Sequence, residues 1–384
     1  MSDPIIVVGA GLAGYGVLRE LRKLDPQASL TLVAADTADF YSKPMLSTAL
    51  AKGKSAAQLI STPAANMAEQ QRSTLHANTR VERIDAQTRT LHTSSGELRY
   101  SKLVLALGGQ PIRLPLSGDA AHEVISINDL HDYTRFRERL DGKRHVGIIG
   151  AGLIGCEFAN DLCASGYRVS VVDPLATPLA SLIPAQVGEP LQAALAGQGV
   201  EWHLGVAVEA VWFREGGYEL QVGNGQCLLV DVVISAVGLR PRTDLAEQAG
   251  LAVGRGIRVD AHGKTSDPHI HAIGDCAEYP VGVCLYITPI MATARAIAAS
   301  LLDQPTPIRF PPLSVIVKTS AYPLALLRPS EGLAGQWLEA ERDASGIKML
   351  YRDAQGMLAG YVLSGSKSSQ RADLDRQVGC LLTA

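Results

Sequence analysis

Two glycine motifs with the same spacing are the residues of this sequence best suited to bind a charged ligand. The segment Ile5–Gly14 reads IIVVGAGLAG and reappears as Val146–Gly155, VGIIGAGLIG. In such a motif the first glycine makes a tight turn, the second lets the backbone approach a pyrophosphate, and the third allows close helix–strand packing. The helix N-terminus that follows attracts the phosphate charge. We therefore expect two bound dinucleotides, although either copy taken alone also fits a glycine turn that serves packing only.

An acidic residue after the next strand bears on the ribose contact. Asp173 directly follows the apolar run Val169–Val172, about twenty residues beyond the second motif, where a carboxylate accepts the ribose 2′-hydroxyl. No Arg or Lys follows it to meet a 2′-phosphate, so NADH is favoured over NADPH. In the first copy the corresponding position holds Ala34. The nearest acid there is Asp36, which we take as the ribose ligand, with a solvated loop acid as the alternative.

The elements around both motifs predict two related α/β units. Helices are expected over Ala13–Leu24 and Ile154–Ala164, each followed by a short apolar strand. Continuous apolar strands of this kind suit a parallel sheet that is covered on both faces. The remaining predicted elements are a hairpin in Glu209–Val222 around Gly216-Gly217, a helix over Asn128–Leu140 capped by Asn128, a long helix near Pro289–Leu302, and C-terminal strands over Leu313–Val317, Ile347–Tyr351 and Leu358–Leu363.

Composition excludes several other classes of protein. The 384 residues are 47% hydrophobic and 19% charged with a net charge of −3, and aromatic residues make up 5%. Neither the basic patch nor the stacking residues of a nucleic-acid-binding protein are indicated. The six cysteines form no C-x-x-C pair, and the histidines are scattered, so we expect no metal site. The apolar stretch Val281–Leu302 is interrupted by Pro289 and Arg295, and no export signal is visible, so we expect a cytoplasmic protein without membrane insertion.

A third motif extends the comparison to a known group of proteins. The strand-like run at Ile270–Ile273 ends in Gly274-Asp275, which places a carboxylate at the carboxyl edge of the first sheet. Together with the runs Leu103–Pro111 and Val232–Pro241, this resembles the flavoprotein reductases that bind two dinucleotides in a glutathione-reductase-like fold. The resemblance implies FAD in the first unit. It also implies three domains: a discontinuous FAD domain over 1–112 and 242–312, an NAD domain over 113–241, and a small C-terminal α+β domain over 313–384.

Four further segments resemble the rubredoxin reductases of aerobic bacteria. They are Tyr41–Ser47, Gly150–Ala159, Ser235–Arg242 and Val315–Thr319. The resemblance implies hydride transfer from NADH to FAD and then single-electron transfers to rubredoxin, a small iron protein. In that family the electrons serve alkane hydroxylation or oxygen detoxification. Relatives of the family reduce flavorubredoxin or oxygenase-type ferredoxins.

The resemblance also assigns catalytic residues. Lys43 and Glu157 are expected to pair beside flavin N5, the alternative being a surface lysine and an unrelated helical glutamate. Lys318 matches the family near the flavin more loosely, and an ordinary lysine at a strand end fits equally well. The full set of residues expected to bind the two cofactors is Gly9, Ala10, Gly11, Leu12, Ala13, Gly14, Asp36, Lys43, Pro44, Val81, Ala106, Gly108, Gly150, Gly152, Leu153, Ile154, Gly155, Asp173, Val237, Gly238, Gly274, Asp275, Pro289 and Lys318.

The cysteine positions narrow the choice of electron acceptor. Disulfide reductases relay electrons through a cysteine pair beside the flavin, whereas this chain has no cysteine before Cys156. We therefore expect electrons to leave directly for an external acceptor. Rubredoxin is the first choice, ferredoxin, flavorubredoxin or oxygen is the alternative, and a monomer is expected. A candidate of another class is a flavoprotein like apoptosis-inducing factor, in which NADH binding switches assembly.

Overall fold

The computed structural model describes residues 3–285, 287–378 and 381–383. The fold confirms the predicted α/β class: two parallel sheets with helices packed against them, followed by an antiparallel C-terminal sheet. Among the described residues, no helix combines the length and the apolar character that crossing a bilayer requires.

The first sheet has five parallel strands, and one of them comes from late in the chain. Its order across the sheet is Ile270–Ala272, Lys102–Leu105, Ile5–Val8, Leu30–Val33 and Thr74–His76. Ile5 lies opposite Leu30 on one side and Lys102 on the other. The strand Ile270–Ala272 pairs with Lys102–Leu105, so the first sheet contains strands from before and after the second unit in sequence.

The second sheet repeats this arrangement with four parallel strands. Their order is Val200–Leu204, Arg168–Asp173, His145–Ile149 and Val232–Ser235. The Gly9 N–H donates to the carbonyl of Val33 at 2.8 Å, and the Gly150 N–H donates to the carbonyl of Val172 at the same distance. The sequence repeat is therefore a repeat of backbone geometry.

The helices agree with the predicted ones to within about two residues, with one correction at a cap. Asp129, not Asn128, caps the helix Leu130–Arg139, because its side chain accepts the Asp132 N–H at 2.8 Å. Five α-helices of the described residues were not predicted, namely Ala56–Leu59, Ala64–Gln71, Ala185–Ala196, Asp244–Gln248 and Arg371–Val378. The α-helices are Leu12–Leu24, Ala56–Leu59, Ala64–Gln71, Leu130–Arg139, Leu153–Ala164, Ala185–Ala196, Asp244–Gln248, Thr288–Leu301 and Arg371–Val378, and the 3₁₀ helices are Lys43–Thr48, Ala121–Glu123, Gly274–Cys276 and Gly365–Gln370.

Small antiparallel layers accompany the parallel sheets. The predicted hairpin around Gly216-Gly217 is present, since Val208–Arg214 pairs with Gly217–Val222. The remaining short strands are Cys227–Val230 in the same layer; Val81–Asp85, Thr90–Thr93 and Gly96–Arg99; Gly109–Pro111 with Leu239–Pro241; Phe40–Tyr41 with Ile60–Thr62; Ile257–Arg258, Ala277–Tyr279 and Gly282–Val283; and Arg309–Phe310 with Leu381–Thr383. All of these pairs are antiparallel except that of Ile257–Arg258 with Ala277–Tyr279, which is parallel.

The C-terminal region is a five-stranded antiparallel sheet that packs against the second unit. Its order is Val315–Val317, Leu324–Leu327, Leu358–Ser364, Gly346–Asp353 and Gly335–Asp343. Three strands were predicted. Leu324–Leu327 and Gly335–Asp343 were not, because one is buried throughout and the other mostly exposed, so neither alternates. Val317 and Leu326 share a hydrophobic core with Phe158 of the second unit, and this packing positions the residues that follow Val317.

Candidate active site

The two glycine turns have the same conformation and the same steric limits. Gly9 and Gly150 have φ of 112° and 105°, which favour glycine. A Cβ on Gly9 would lie 2.2 Å from the carbonyl oxygen of Ala106. A Cβ on Gly14 would lie 1.9 Å from the carbonyl oxygen of Gly9, and one on Gly155 would be just as close to that of Gly150. The first and third glycines therefore serve the turn and the close packing of the helix, as predicted.

The middle glycines face open space. Gly11 and Gly152 are the N-cap residues of the helices Leu12–Leu24 and Leu153–Ala164, and neither helix has a side-chain cap. A Cβ on either glycine would meet no heavy atom within 4 Å. Each turn therefore leaves helix N–H groups and an open side to a ligand, which is what a pyrophosphate requires.

One continuous cavity of about 2180 Å³ runs past both turns. Pockets for a single small molecule measure roughly 300–1,000 Å³, so this cavity has room for more than one ligand. Gly14, Gly155 and Pro289 lie behind its wall and do not line it. The other predicted residues do: Gly9, Ala10, Gly11, Leu12, Ala13, Asp36, Lys43, Pro44, Val81, Ala106, Gly108, Gly150, Gly152, Leu153, Ile154, Glu157, Asp173, Val237, Gly238, Gly274, Asp275 and Lys318.

Asp173 is fixed at the rim of the second turn. It is the last residue of the strand Arg168–Asp173. One carboxylate oxygen accepts the Ala151 N–H at 2.6 Å, and the other accepts the Leu175 N–H at 2.8 Å. The carboxylate is thus oriented by backbone groups and lies at the cavity wall, where a ribose hydroxyl could reach its remaining lone pairs.

The strand register places Ala34, not Asp36, at the position equivalent to Asp173. Val8 pairs with Val33 as Ile149 pairs with Val172, so the residue after each pair corresponds. Ala34 is buried, whereas Asp36 is exposed and accepts the Ala38 N–H at 3.0 Å. Asp36 lines the cavity, and its role as a ribose ligand stays a prediction.

Glu157 pairs with Lys318 instead of Lys43. The Lys318 ammonium nitrogen lies 2.5 Å from Glu157 Oε2, and the backbone N–H of Lys318 donates to Glu157 Oε1 at 3.0 Å. The Ser47 hydroxyl donates to the same Oε2 at 2.5 Å, and Lys318 also donates to the carbonyl of Pro44 at 2.6 Å. The predicted pairing of Lys43 with Glu157 is therefore wrong, because the C-terminal sheet delivers a second lysine to this carboxylate.

Lys43 has a different electrostatic neighbour. Burial lowers the pKa of its ammonium, and Asp275 opposes that shift more than any other charge. Burial likewise raises the pKa of Asp275, and Lys43 opposes that shift. The two residues lie on the cavity wall contributed by the first unit. Each of the two residues thus favours the charged form of the other.

Three polar residues around this site were not predicted. Ser47 contacts Glu157. Asp161 accepts the backbone N–H groups of Leu50 and Ala51, and Asn160 accepts that of Ala321. Asp161 lies four residues after Glu157 on the same helix, and this spacing puts both carboxylates on one helix face. That spacing is the one sequence signal that could have revealed Asp161.

No thiol of the described residues lines the cavity. Cys156 is fully buried and donates to the carbonyl of Ala151 at 3.3 Å. Burial raises the pKa of its thiol, so the reactive thiolate is disfavoured. Within the described ranges no three His, Cys, Asp or Glu side chains converge as metal ligands.

Comparison with known proteins yields matches over the whole chain. Residues 3–299 match the family described as pyridine nucleotide-disulphide oxidoreductase, and residues 307–378 match the rubredoxin binding C-terminal domain. The chain is 41% identical over 380 residues to the rubredoxin-NAD(+) reductase of Alcanivorax borkumensis, covering 99% of both chains. It is 37% identical over 379 residues to the nitric oxide reductase FlRd-NAD(+) reductase of Aeromonas hydrophila, covering 98% of this chain and 97% of the other.

Solved structures with the same fold include two reductases of electron-transfer systems. The ferredoxin reductase for the CYP199A2 system of Rhodopseudomonas palustris superposes with a TM-score of 0.88 at 27% identity, covering 97% of this chain and 93% of that one. The reductase in the covalent putidaredoxin reductase–putidaredoxin complex gives a TM-score of 0.88 at 25% identity, covering 98% and 93%.

Proposed function

Because the chain belongs to the pyridine nucleotide-disulphide oxidoreductase family, we propose that it is an FAD-dependent NADH:rubredoxin reductase. Members of this family use a flavin and NAD(H). When bound, FAD supplies the exchange between a two-electron donor and a one-electron acceptor. The remaining task of the protein is to hold both nucleotides, to set the charge around them and to receive the acceptor.

One observation carries the proposal. Both glycine turns open onto one cavity, and the pair formed by Lys318 and Glu157 lines the same cavity. FAD is assigned to the first turn, because Gly274-Asp275 and Lys43 lie on that side. NADH is assigned to the second turn, because Asp173 is oriented there to accept from a ribose hydroxyl. Its negative charge would repel a 2′-phosphate, which supports NADH over NADPH.

The charged side chains set the electrostatics of the cavity. Lys43 and Lys318 both line it together with the carboxylates Asp275 and Glu157, and the ammonium groups are donors in the cavity to a flavin that gains negative charge. Both carboxylate oxygens of Glu157 accept hydrogen bonds. We therefore propose that Glu157 holds Lys318 in place and does not transfer a proton. The proposed catalytic pair is thus Lys43 and Lys318, with Glu157 positioning the latter.

The acceptor is proposed to be an external iron protein. No described cysteine lines the cavity, so an internal dithiol relay has no support. The match of residues 307–378 to the rubredoxin binding C-terminal domain favours rubredoxin over ferredoxin. Flavorubredoxin is the second candidate, because relatives such as that of Aeromonas hydrophila bear the name FlRd-NAD(+) reductase. We propose that the chain works as a monomer, which light scattering would test.

Stopped-flow mixing tests the assignment. The flavin-loaded protein would be reduced anaerobically with NADH and then mixed with oxidised rubredoxin, a flavorubredoxin, a [2Fe–2S] ferredoxin or oxygen. We expect rubredoxin to reoxidise the protein fastest. A rubredoxin rate no greater than the others would overturn the specific acceptor, while failure of NADH to reduce the protein would overturn the proposal as a whole.

A further inference from the structure

The helix that begins at the second glycine turn contacts more than its own sheet. One face of Leu153–Ala164 carries two buried carboxylates a single turn apart, Glu157 and Asp161. Both point at the segment 43–51 of the first unit. This segment begins with the 3₁₀ helix Lys43–Thr48.

The Asp161 carboxylate binds the C-terminal end of that segment. Its Oδ2 accepts the Leu50 N–H at 2.9 Å, and its Oδ1 accepts the Ala51 N–H at 3.1 Å. Two consecutive backbone N–H groups thus share one carboxylate from another unit. Burial raises the pKa of Asp161, and those two backbone N–H groups oppose the shift more than any charge does. The contact therefore depends on an ionised carboxylate at a site that disfavours its charge.

The segment 43–51 is restrained at several points between Lys43 and the two residues that Asp161 binds. Pro44 restricts the backbone at the start of the 3₁₀ helix. The Met45 N–H donates to the carbonyl of Ser42 at 2.9 Å, and the Ser47 hydroxyl is held by Glu157. Because of these restraints, we expect a shift at Leu50 and Ala51 to displace Lys43 as well.

We propose that Asp161 is a positioning residue that sets the place of Lys43 in the cavity and so couples the second nucleotide-binding unit to the first. This inference rests on the proposed function only for its kinetic consequence. Lys43 is half-buried and lines the cavity with Asp275, so a displacement of Lys43 changes how strongly the protein stabilises its ammonium charge.

The test compares Asp161→Asn with Asp231→Asn. Asp231 is a matched control because its carboxylate also accepts two consecutive backbone N–H groups, those of Arg144 and His145 at 2.8 and 2.9 Å. It lies in the same unit and does not line the large cavity. Asp161→Ser serves as a second variant should the asparagine amide prevent folding, because a serine has no NH₂ group to oppose the backbone donors.

Two readouts are needed. Amide hydrogen exchange of the segment 43–51, followed by mass spectrometry in the flavin-loaded protein, should be about tenfold faster in the Asp161 variants and unchanged in Asp231→Asn. With ferricyanide as a protein-free acceptor, kcat for NADH oxidation should fall by about tenfold in the Asp161 variants while KM for NADH changes little. Ferricyanide keeps the result independent of which protein is the natural acceptor.

The outcomes separate the two proposals. Unchanged exchange over 43–51 in the Asp161 variants would overturn the inference, and so would a kcat no lower than that of Asp231→Asn. A wild-type protein that does not oxidise NADH would overturn the proposed function instead. The exchange data would then still decide whether Asp161 holds the segment.

Discussion

Lys318 Nζ lies 2.5 Å from Glu157 Oε2, although the two residues come from the C-terminal sheet and the second parallel unit. The Glu157 side chain is 4% exposed and the Lys318 side chain 30% exposed. With Ser47 as a third member, the contact joins all three parts of the chain at the wall of the cavity. A buried carboxylate of this kind depends on its partners, because an unpaired charge is costly away from water.

Removing the lysine should therefore cost more than removing both charges. We expect Lys318→Met to lower the free energy of unfolding by about 2 kcal/mol, since it leaves Glu157 with hydroxyl and backbone donors only. This is less than the roughly 3–5 kcal/mol of a fully buried pair, because the Lys318 side chain is 30% exposed. The double variant Glu157→Gln, Lys318→Met should recover part of that loss. Urea unfolding of both variants, of Glu157→Gln alone and of the wild type gives the coupling energy between the two residues. Additive losses of unfolding free energy would show that the ion pair does not stabilise the protein.

The middle glycines allow the two nucleotides to be assigned separately. Gly11→Ala should fold, because its Cβ meets nothing within 4 Å, yet the methyl group would occupy the space a pyrophosphate needs. We expect purified Gly11→Ala to contain little flavin. Gly152→Ala should keep its flavin and show a KM for NADH raised by about tenfold.

Absorbance of the bound flavin and steady-state kinetics measure the two effects. The reverse pattern, with flavin lost only in Gly152→Ala, would exchange the two assignments. Gly14→Ala is the steric control. Its Cβ would lie 1.9 Å from the Gly9 carbonyl oxygen, so this variant should fail to fold.

Substitutions of Asp173 and of Asp36 should have different effects on the KM for NADH. Asp173→Asn should raise the KM for NADH by about tenfold, the effect of losing a charged hydrogen bond, and should reduce the preference over NADPH. Asp36→Ala, at an exposed position of the other unit, should leave the KM for NADH unchanged. Initial rates over a range of both nucleotides provide the test, and an unaltered KM in Asp173→Asn would remove its ribose role.

His271 is a core residue that should make the stability of the fold sensitive to acid. It is fully buried in the strand Ile270–Ala272, and neither ring nitrogen has a hydrogen-bond partner among the described residues. Burial lowers the pKa of His271 to about 4, with Lys264 and Lys102 adding to the shift. The unfolded chain binds this proton below about pH 6.5, so stability is lost as the pH falls from there towards 4.

The loss attributable to this one residue should reach about 3 kcal/mol near pH 4. His271→Leu should show a flatter dependence of unfolding free energy on pH between 6.5 and 4, and no loss at pH 7, because two unpaired polar atoms are removed. Urea unfolding at several pH values gives the comparison. Equal slopes for both proteins would show that His271 does not titrate on unfolding.

Much of the architecture was predictable because it repeats. The matching segments Ile5–Gly14 and Val146–Gly155 predicted two parallel α/β units, and the structure confirms them. The resemblance to the rubredoxin reductases, drawn from a few short segments, is confirmed by a relative 41% identical over 380 residues. Such motifs can be predicted from sequence because residue type and short spacing identify them, as in the turn whose φ of 112° favours glycine at position 9.

The partner of Glu157 was not predictable in the same way. Lys43 and Lys318 both lie within recognised segments, and local sequence does not distinguish which ammonium group reaches the carboxylate. That choice depends on how the C-terminal sheet packs on the second unit, through contacts such as that of Val317 with the shared core. Asp161 was missed for the same reason, since its donors Leu50 and Ala51 lie more than a hundred residues earlier in the chain.

The sequence by itself thus determined the two glycine turns, the acid at the end of the second strand and the absence of an early cysteine. Those features depend on residue type and short spacing, which are visible in one dimension. Only the tertiary structure decided that the two turns open onto one cavity and that Lys318 pairs with Glu157. Such pairings result from the packing of buried surfaces between distant segments, and the ionic contact follows that packing because a buried carboxylate must find its cation there.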